Sequence, residues 1–146
     1  MERTFSLDTI KSIIKNGNSN AFHEYFHSYE EAKSPIIKGW ALFYLLTCSQ
    51  NEDHSRDNLF HLMIRIIGIE LINHTIQGLL PLQIAYKANN LKYFHFMLLN
   101  GADPDIVNEQ GVSTYEMIIR DENEKFLAFV LKYETVIYEE LIKNKS

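Results

Sequence analysis

A chain of 146 residues with 14 basic and 19 acidic side chains, net −5, is one domain's worth of a weakly acidic protein. At 46% apolar and 23% charged it reads as globular rather than disordered, and a chain this long buries roughly 68–70% of its unfolded surface, enough for a core without cross-links. The charge balance excludes an extended phosphate-binding surface, a lone Cys48 excludes an intramolecular disulfide, and no apolar run approaches the roughly 18 residues a membrane-spanning helix needs.

In chain order, Met1 to Asp8 has no apolar run before charged residues return, which predicts no secretory leader. Leu7 to Lys15 is predicted as a helix, Asn16-Gly17-Asn18 as a turn, and Ser19 to Tyr29 as a second helix with Phe22, Tyr25 and Phe26 inward. Gly39 is taken to open the next unit, with a polar insertion at 50–57 and a second helix from Asn58 to Gly68 that carries Phe60, Leu62, Ile64 and Ile67. Gly78 opens a third unit, whose second helix carries Leu91, Phe94, Met97 and Leu98. Gly111 opens a fourth, with Leu127, Val130 and Leu131. Residues 133–146 suit a final, C-terminal capping helix with a short polar tail and with Ile137 and Leu141 inward. Gly78 precedes Gly111 by 33 residues and Gly68 precedes Gly101 by the same interval, and a fixed period of that size is the signature of a stacked repeat. The units fall at about 6–38, 39–77, 78–110 and 111–143 within a single domain, 1–146.

Residues 78–110 resemble an ankyrin repeat. Pro81-Leu82 and the small Ala85 fit that family's first helix, and Asn90-Leu91 with Leu98-Leu99-Asn100-Gly101-Ala102-Asp103-Pro104 fit its second helix and the turn after it. Two positions depart from the pattern. Leu80 stands where a capping threonine is usual, and Gln83 where a bridging histidine is usual. Loss of the threonine removes an N-cap worth about 0.5–2 kcal/mol, so single units are expected to depend on stacking.

The resemblance implies an all-α solenoid of stacked helix-turn-helix units with short hairpin loops and a concave, partner-binding face. On that register Trp40, Leu79 and Val112, each just after a unit-opening glycine, form an apolar stripe across three units. Ile37, Lys38, Ile76, Gln77, Glu109 and Gln110 flank it, and Trp40 is the hot-spot candidate. Asp103, Asp105, Glu109 and Asp121 lie near the same edge, where they would steer a basic partner.

Three strings bear on chemistry. His23-Glu24-Tyr25-Phe26-His27 matches the pattern in which two histidines four apart bind zinc and the glutamate activates water, but a third protein ligand is also required. The repeat register turns His23 and His27 outward as a solvated pair. Cys48 has Tyr44, not a base, one helical turn before it, and is expected to pack at a helix end. His61 and His95 sit within apolar helices and read as structural. There is no Gly-rich phosphate loop, paired-cysteine metal site or nucleophile elbow, so neither a catalytic residue nor a cofactor is expected.

The expected function is a non-enzymatic protein-interaction module, monomeric when free and cytoplasmic (or in a host cytosol). Its resemblance to small acidic ankyrin proteins implies a stoichiometric inhibitor, either a toxin-neutralising immunity protein or a mimic of a host inhibitor. A host-directed effector or scaffold, with the 50–57 loop as a second surface, is the alternative, and a zinc hydrolase using residues 23–27 ranks last. Neither nucleic acid nor membrane is an expected partner.

Overall fold

The computed structural model describes residues 5–49 and 52–143, with the side chains of all of these except 69, 70, 136–138, 140 and 141. Among the described residues the chain is all-helical, with no strand: α1 (Leu7–Asn16), α2 (Ser19–Ser28), a 3-10 turn (Glu30–Lys33), α3 (Pro35–Cys48), α4 (Asp57–Ile72), α5 (Pro81–Lys87), α6 (Leu91–Leu99), α7 (Thr114–Arg120) and α8 (Glu124–Lys143).

Polar side chains start most of these helices. Ser6, Asn18, Ser34, Asn90 and Ser113 each accept a hydrogen bond from a backbone N–H in the first turn, at 3.0–3.4 Å, which satisfies donors the helix itself leaves orphaned. Asn123 does the same for Phe126 at the entry to α8. Proline opens α3 and α5, where its missing N–H costs nothing.

Consecutive helices pair, α1 with α2, α3 with α4, α5 with α6 and α7 with α8. The pairs also stack, α1 on α3 on α5 in one layer and α2 on α4 on α6 on α8 in the other. Between the layers lie Ile10, Ile14, Phe22, Phe26, Leu42, Leu45, Met63, Phe94 and Val130, all buried, each worth about 1.5–3 kcal/mol of transfer free energy. Phe60 stacks on Tyr93 with ring centroids 4.0 Å apart, and Phe126 receives Tyr86 and Phe94 edge-on at 4.9 Å.

The last two pairs repeat at an offset of 33 residues. Pro81 and Thr114 begin their first helices, Asn90 and Asn123 cap their second, and Asn89 and Glu122 both take positive φ, 55° and 53°, in the turn between. The first pair also lies as expected, with Gly17 left-handed (φ 67°) at its turn and its φ > 0 required by the cap.

Two sequence expectations need correction. Gly39 does not open a unit. It lies inside α3, which begins four residues earlier at the Ser34-Pro35 cap, so the boundary drawn between 38 and 39 cuts a helix. The second correction concerns the chain end. The final capping helix expected over 133–146 is not an element of its own, because α8 runs unbroken from Glu124 to Lys143 with neither glycine nor proline to stop it. The side chains of Ile137 and Leu141, expected inward, lie outside the described residues.

Candidate functional site

Helix α3 is apolar almost all round. Ala41, Leu42, Leu45 and Leu46 face the core, while Ile36, Trp40 and Tyr44, spaced four apart, share another face. Trp40 and Tyr44 stack with centroids 5.8 Å apart, and the Lys11 ammonium lies 5.5 Å from the Tyr44 ring. Ile36 is 81% exposed, the most exposed of the large apolar side chains among the described residues.

Opposite α3 the chain leaves α4, whose helical path breaks at Gly68 (φ 77°), and forms a short finger. Ile76 and Leu79 exchange backbone hydrogen bonds of 2.7 and 3.2 Å around Gln77 and Gly78. Both central residues have positive φ, 53° and 85°, the two-residue turn that glycine favours. Between this finger and α3 lies an open cleft of about 550 Å³, lined by Ile36, Gly39 and Trp40 of α3, Ile67 and Leu71 of α4, and His74 to Gln77 of the finger. At Gly39 a side-chain methyl would stand 3.5 Å from Ile76, an ordinary van der Waals contact, so the finger's approach to the helix does not depend on the glycine.

The finger is braced by the next one. Asn73 donates to the Gly101 carbonyl (2.9 Å) and accepts from the Asp103 N–H (2.8 Å). Thr75 donates to the Glu109 carboxylate (3.4 Å), and the Glu109 N–H reaches the Gly78 carbonyl (3.4 Å). In this second finger Val107 and Ser113 bridge around Asn108–Val112. Gln83, fully buried, joins it to α5. Its Oε1 accepts from the Leu80 N–H and from Asn108 Nδ2, both at 3.1 Å, and its Nε2 donates to the Val112 carbonyl at 3.0 Å. The bond from the Leu80 N–H to Gln83 is the reciprocal half of a capping box, present although leucine cannot supply the other half.

Of the residues expected to form one stripe, Trp40, Ile76 and Gln77 meet at the cleft. Ile37 and Lys38 are half-buried on α3 outside its lining. Leu79 is half-buried against the core, and Val112 is half-buried in the second finger, where Glu109 and Gln110 are exposed. Trp40, Leu79 and Val112 are therefore not equivalent positions, because Trp40 sits in a helix and the other two in fingers. A register that starts at Gly39 does not reach Ile36, because α3 starts at Ser34-Pro35. Asp103, Asp105 and Glu109 are exposed, and none is ion-paired among the described residues. Asp121 stands apart, accepting from the buried Tyr86 hydroxyl at 2.6 Å. Burial, and then that carboxylate, push the Tyr86 phenol up to about 12.

The other candidate residues are arranged as follows. His23 and His27 are exposed on α2, their rings stacked at 4.1 Å, and the His27 Nδ1 lies 2.9 Å from the His23 carbonyl. No group of three or more His, Cys, Asp or Glu that could hold a metal occurs among the described residues. Cys48 ends α3 half-buried, with its thiol directed at the Leu45 carbonyl (3.6 Å). His61 is exposed and His95 half-buried, each against a ring, Phe96 and Phe129 respectively.

Residues 52–57 of the insertion are tied down. Arg56 donates to the carbonyls of Ile14 (3.2 Å) and Lys15 (2.9 Å) at the end of α1 and pairs with Asp53. Hydrogen bonds from the Ser55 hydroxyl and amide, with Arg56 behind them, hold the Asp53 carboxyl at about 2. Partial burial pushes Asp57 up, but hydrogen bonds from Lys92 (2.7 Å) and His54 (3.0 Å) outweigh it and keep the carboxyl below its ordinary range.

No protein-family model, curated protein or solved structure matches this chain.

Proposed function

We propose that this chain is a non-enzymatic binding protein built as an ankyrin-like solenoid, and that it acts as a stoichiometric inhibitor of a protein partner. An immunity protein against a toxin or a mimic of a host inhibitor, working in the cytosol, fits that role. The observation that carries the binding reading is the cleft beside α3, where an isoleucine at 81% exposure and the chain's only tryptophan border an apolar hollow. Exposed apolar side chains clustered around a cavity, rather than scattered singly, mark interaction sites. The solenoid reading draws support from the 33-residue offset of the last two pairs, the stacking of each pair on its neighbour, and the two fingers on one edge. The pinned residues 52–57 favour a single binding surface over a scaffold with two.

The test is capture from the native source with wild type and with Ile36→Ser, followed by native mass measurement of the complex and an activity assay of the captured protein. The reading expects a one-to-one complex that silences the partner and is lost with Ile36→Ser, while that variant keeps its far-ultraviolet circular dichroism. A partner retained in full by Ile36→Ser moves the site away from the cleft and overturns it.

A further inference from the structure

We infer that the occupant of the cleft is a basic protein segment, which seats one apolar side chain between Ile36, Trp40 and Ile76 and lays a flanking lysine or arginine on the carboxylates of the second finger. This rests on the binding reading above and adds the chemistry of the partner.

The cleft supplies the apolar half. Its walls are aliphatic and aromatic, its volume of about 550 Å³ exceeds one side chain, and its mouth is edged by Ile36. The second finger supplies the charge. Asp103, Asp105 and Glu109 fall within seven residues, all exposed and none ion-paired among the described residues.

The two halves adjoin. Thr75, in the cleft lining, hydrogen-bonds the Glu109 carboxylate, and Asn73, next to the lining residue His74, holds the Asp103 backbone. A ligand spanning both would meet an apolar pocket and a negative edge within a few residues of its own length. Nearby basic groups are Lys38, half-buried on α3, and His74 on the rim.

The same carboxylates repel the phosphates of nucleic acid and of anionic lipid headgroups. They also disfavour a second copy of this chain, which would bring its own net −5. Glu109 and Asp103 each accept a hydrogen bond through one carboxylate oxygen, from Thr75 and from the Asp105 N–H. Glu109→Gln and Asp103→Asn retain that acceptor and remove only charge.

Trp40, as the sole tryptophan, reports the cleft directly. The full chain is titrated, with tryptophan emission as readout, against two synthetic peptide pools that share apolar residues but carry either lysine and arginine or glutamate and aspartate beside them. Anionic phospholipid vesicles and sedimentation over a concentration series complete the set. The expected result is a saturable emission change with the basic pool alone, weakened about tenfold by Ile36→Ser. It is also weakened several-fold, with a shallower salt dependence, by the Asp103→Asn/Glu109→Gln pair.

Equal response to the acidic pool overturns the charge assignment and leaves the binding reading standing. A response to vesicles alone, or a concentration-dependent dimer lost with Ile36→Ser, overturns it in favour of a lipid surface or a second copy. No response to either pool overturns the basic-segment assignment. The binding reading falls only if the partner captured from the native source is also retained by Ile36→Ser.

Discussion

Helices α3 and α5 begin alike and end up in opposite circumstances. Both open on proline, so Ile36 corresponds to Leu82, Ile37 to Gln83 and Trp40 to Tyr86. Leu82 is 2% exposed and Ile36 81%. Tyr86 closes over the next pair through Phe126 and Asp121, whereas Trp40 lines a cleft. The difference traces to the residue between them. Gln83 ties α5 to the finger that covers it, but Ile37 offers α3 no donor or acceptor with which to hold its own finger. A covered helix start becomes core, and an uncovered one of similar composition stays exposed beside a cleft.

The largest effect should come from cutting that tie. Gln83→Ala leaves the Leu80 N–H and the Asn108 Nδ2 without a buried acceptor, while the Val112 carbonyl keeps the Asn108 N–H, and should cost about 3–5 kcal/mol in urea unfolding. The corresponding apolar pair gives the sharpest contrast. Leu82→Ala should cost about 3 kcal/mol, while Ile36→Ala should stay within about 0.5 kcal/mol of wild type. Similar losses in both would mean that Ile36 is covered in solution.

Tyr86→Phe removes one hydrogen bond and should cost about 1 kcal/mol at neutral pH. Because the folded phenol titrates at about 12 against about 10 in the unfolded chain, the folded state binds more protons between those values. Wild-type stability is therefore unaffected by this group below pH ~10 and falls as pH rises toward ~12. The alkaline limb of Tyr86→Phe should be shallower when stability is followed across that window. The smallest effect is a gain. Gly39→Ala, inside α3 with only ordinary contact to Ile76, should stabilise by about 0.5–1 kcal/mol. A loss would show that a methyl cannot be seated against the finger.

Much of this architecture was legible in the residues. The helix periodicity, the Gly17 turn, the 33-residue offset and the outward His23 and His27 follow from local pattern. The start of α3 is equally written, in Ser34-Pro35, but a register that aligns Gly39 with two turn glycines matches Trp40 to Leu79 instead of Tyr86. What local pattern does not carry is where Gln83 reaches, since its partners Asn108 and Val112 lie in the following unit. The cleft itself depends on an absent bond, at Ile37, and on the path of a finger. Neither leaves a periodicity in the sequence.

In an array where each pair touches only its neighbours, stability sums over adjacent terms, and an end unit can fray while the rest persists. The insertion changes that arithmetic here. Arg56 grips the carbonyl end of α1 while its partner Asp53 offers a carbonyl to Lys92 on α6. The loop between the helices of the second pair thus holds the first pair and the third at once, so the neighbour contacts on both sides of that unit run through one short segment. Amide hydrogens of α1 should then exchange together with those of α6 in a single opening, so this row of helices comes apart as one body instead of peeling from its amino end.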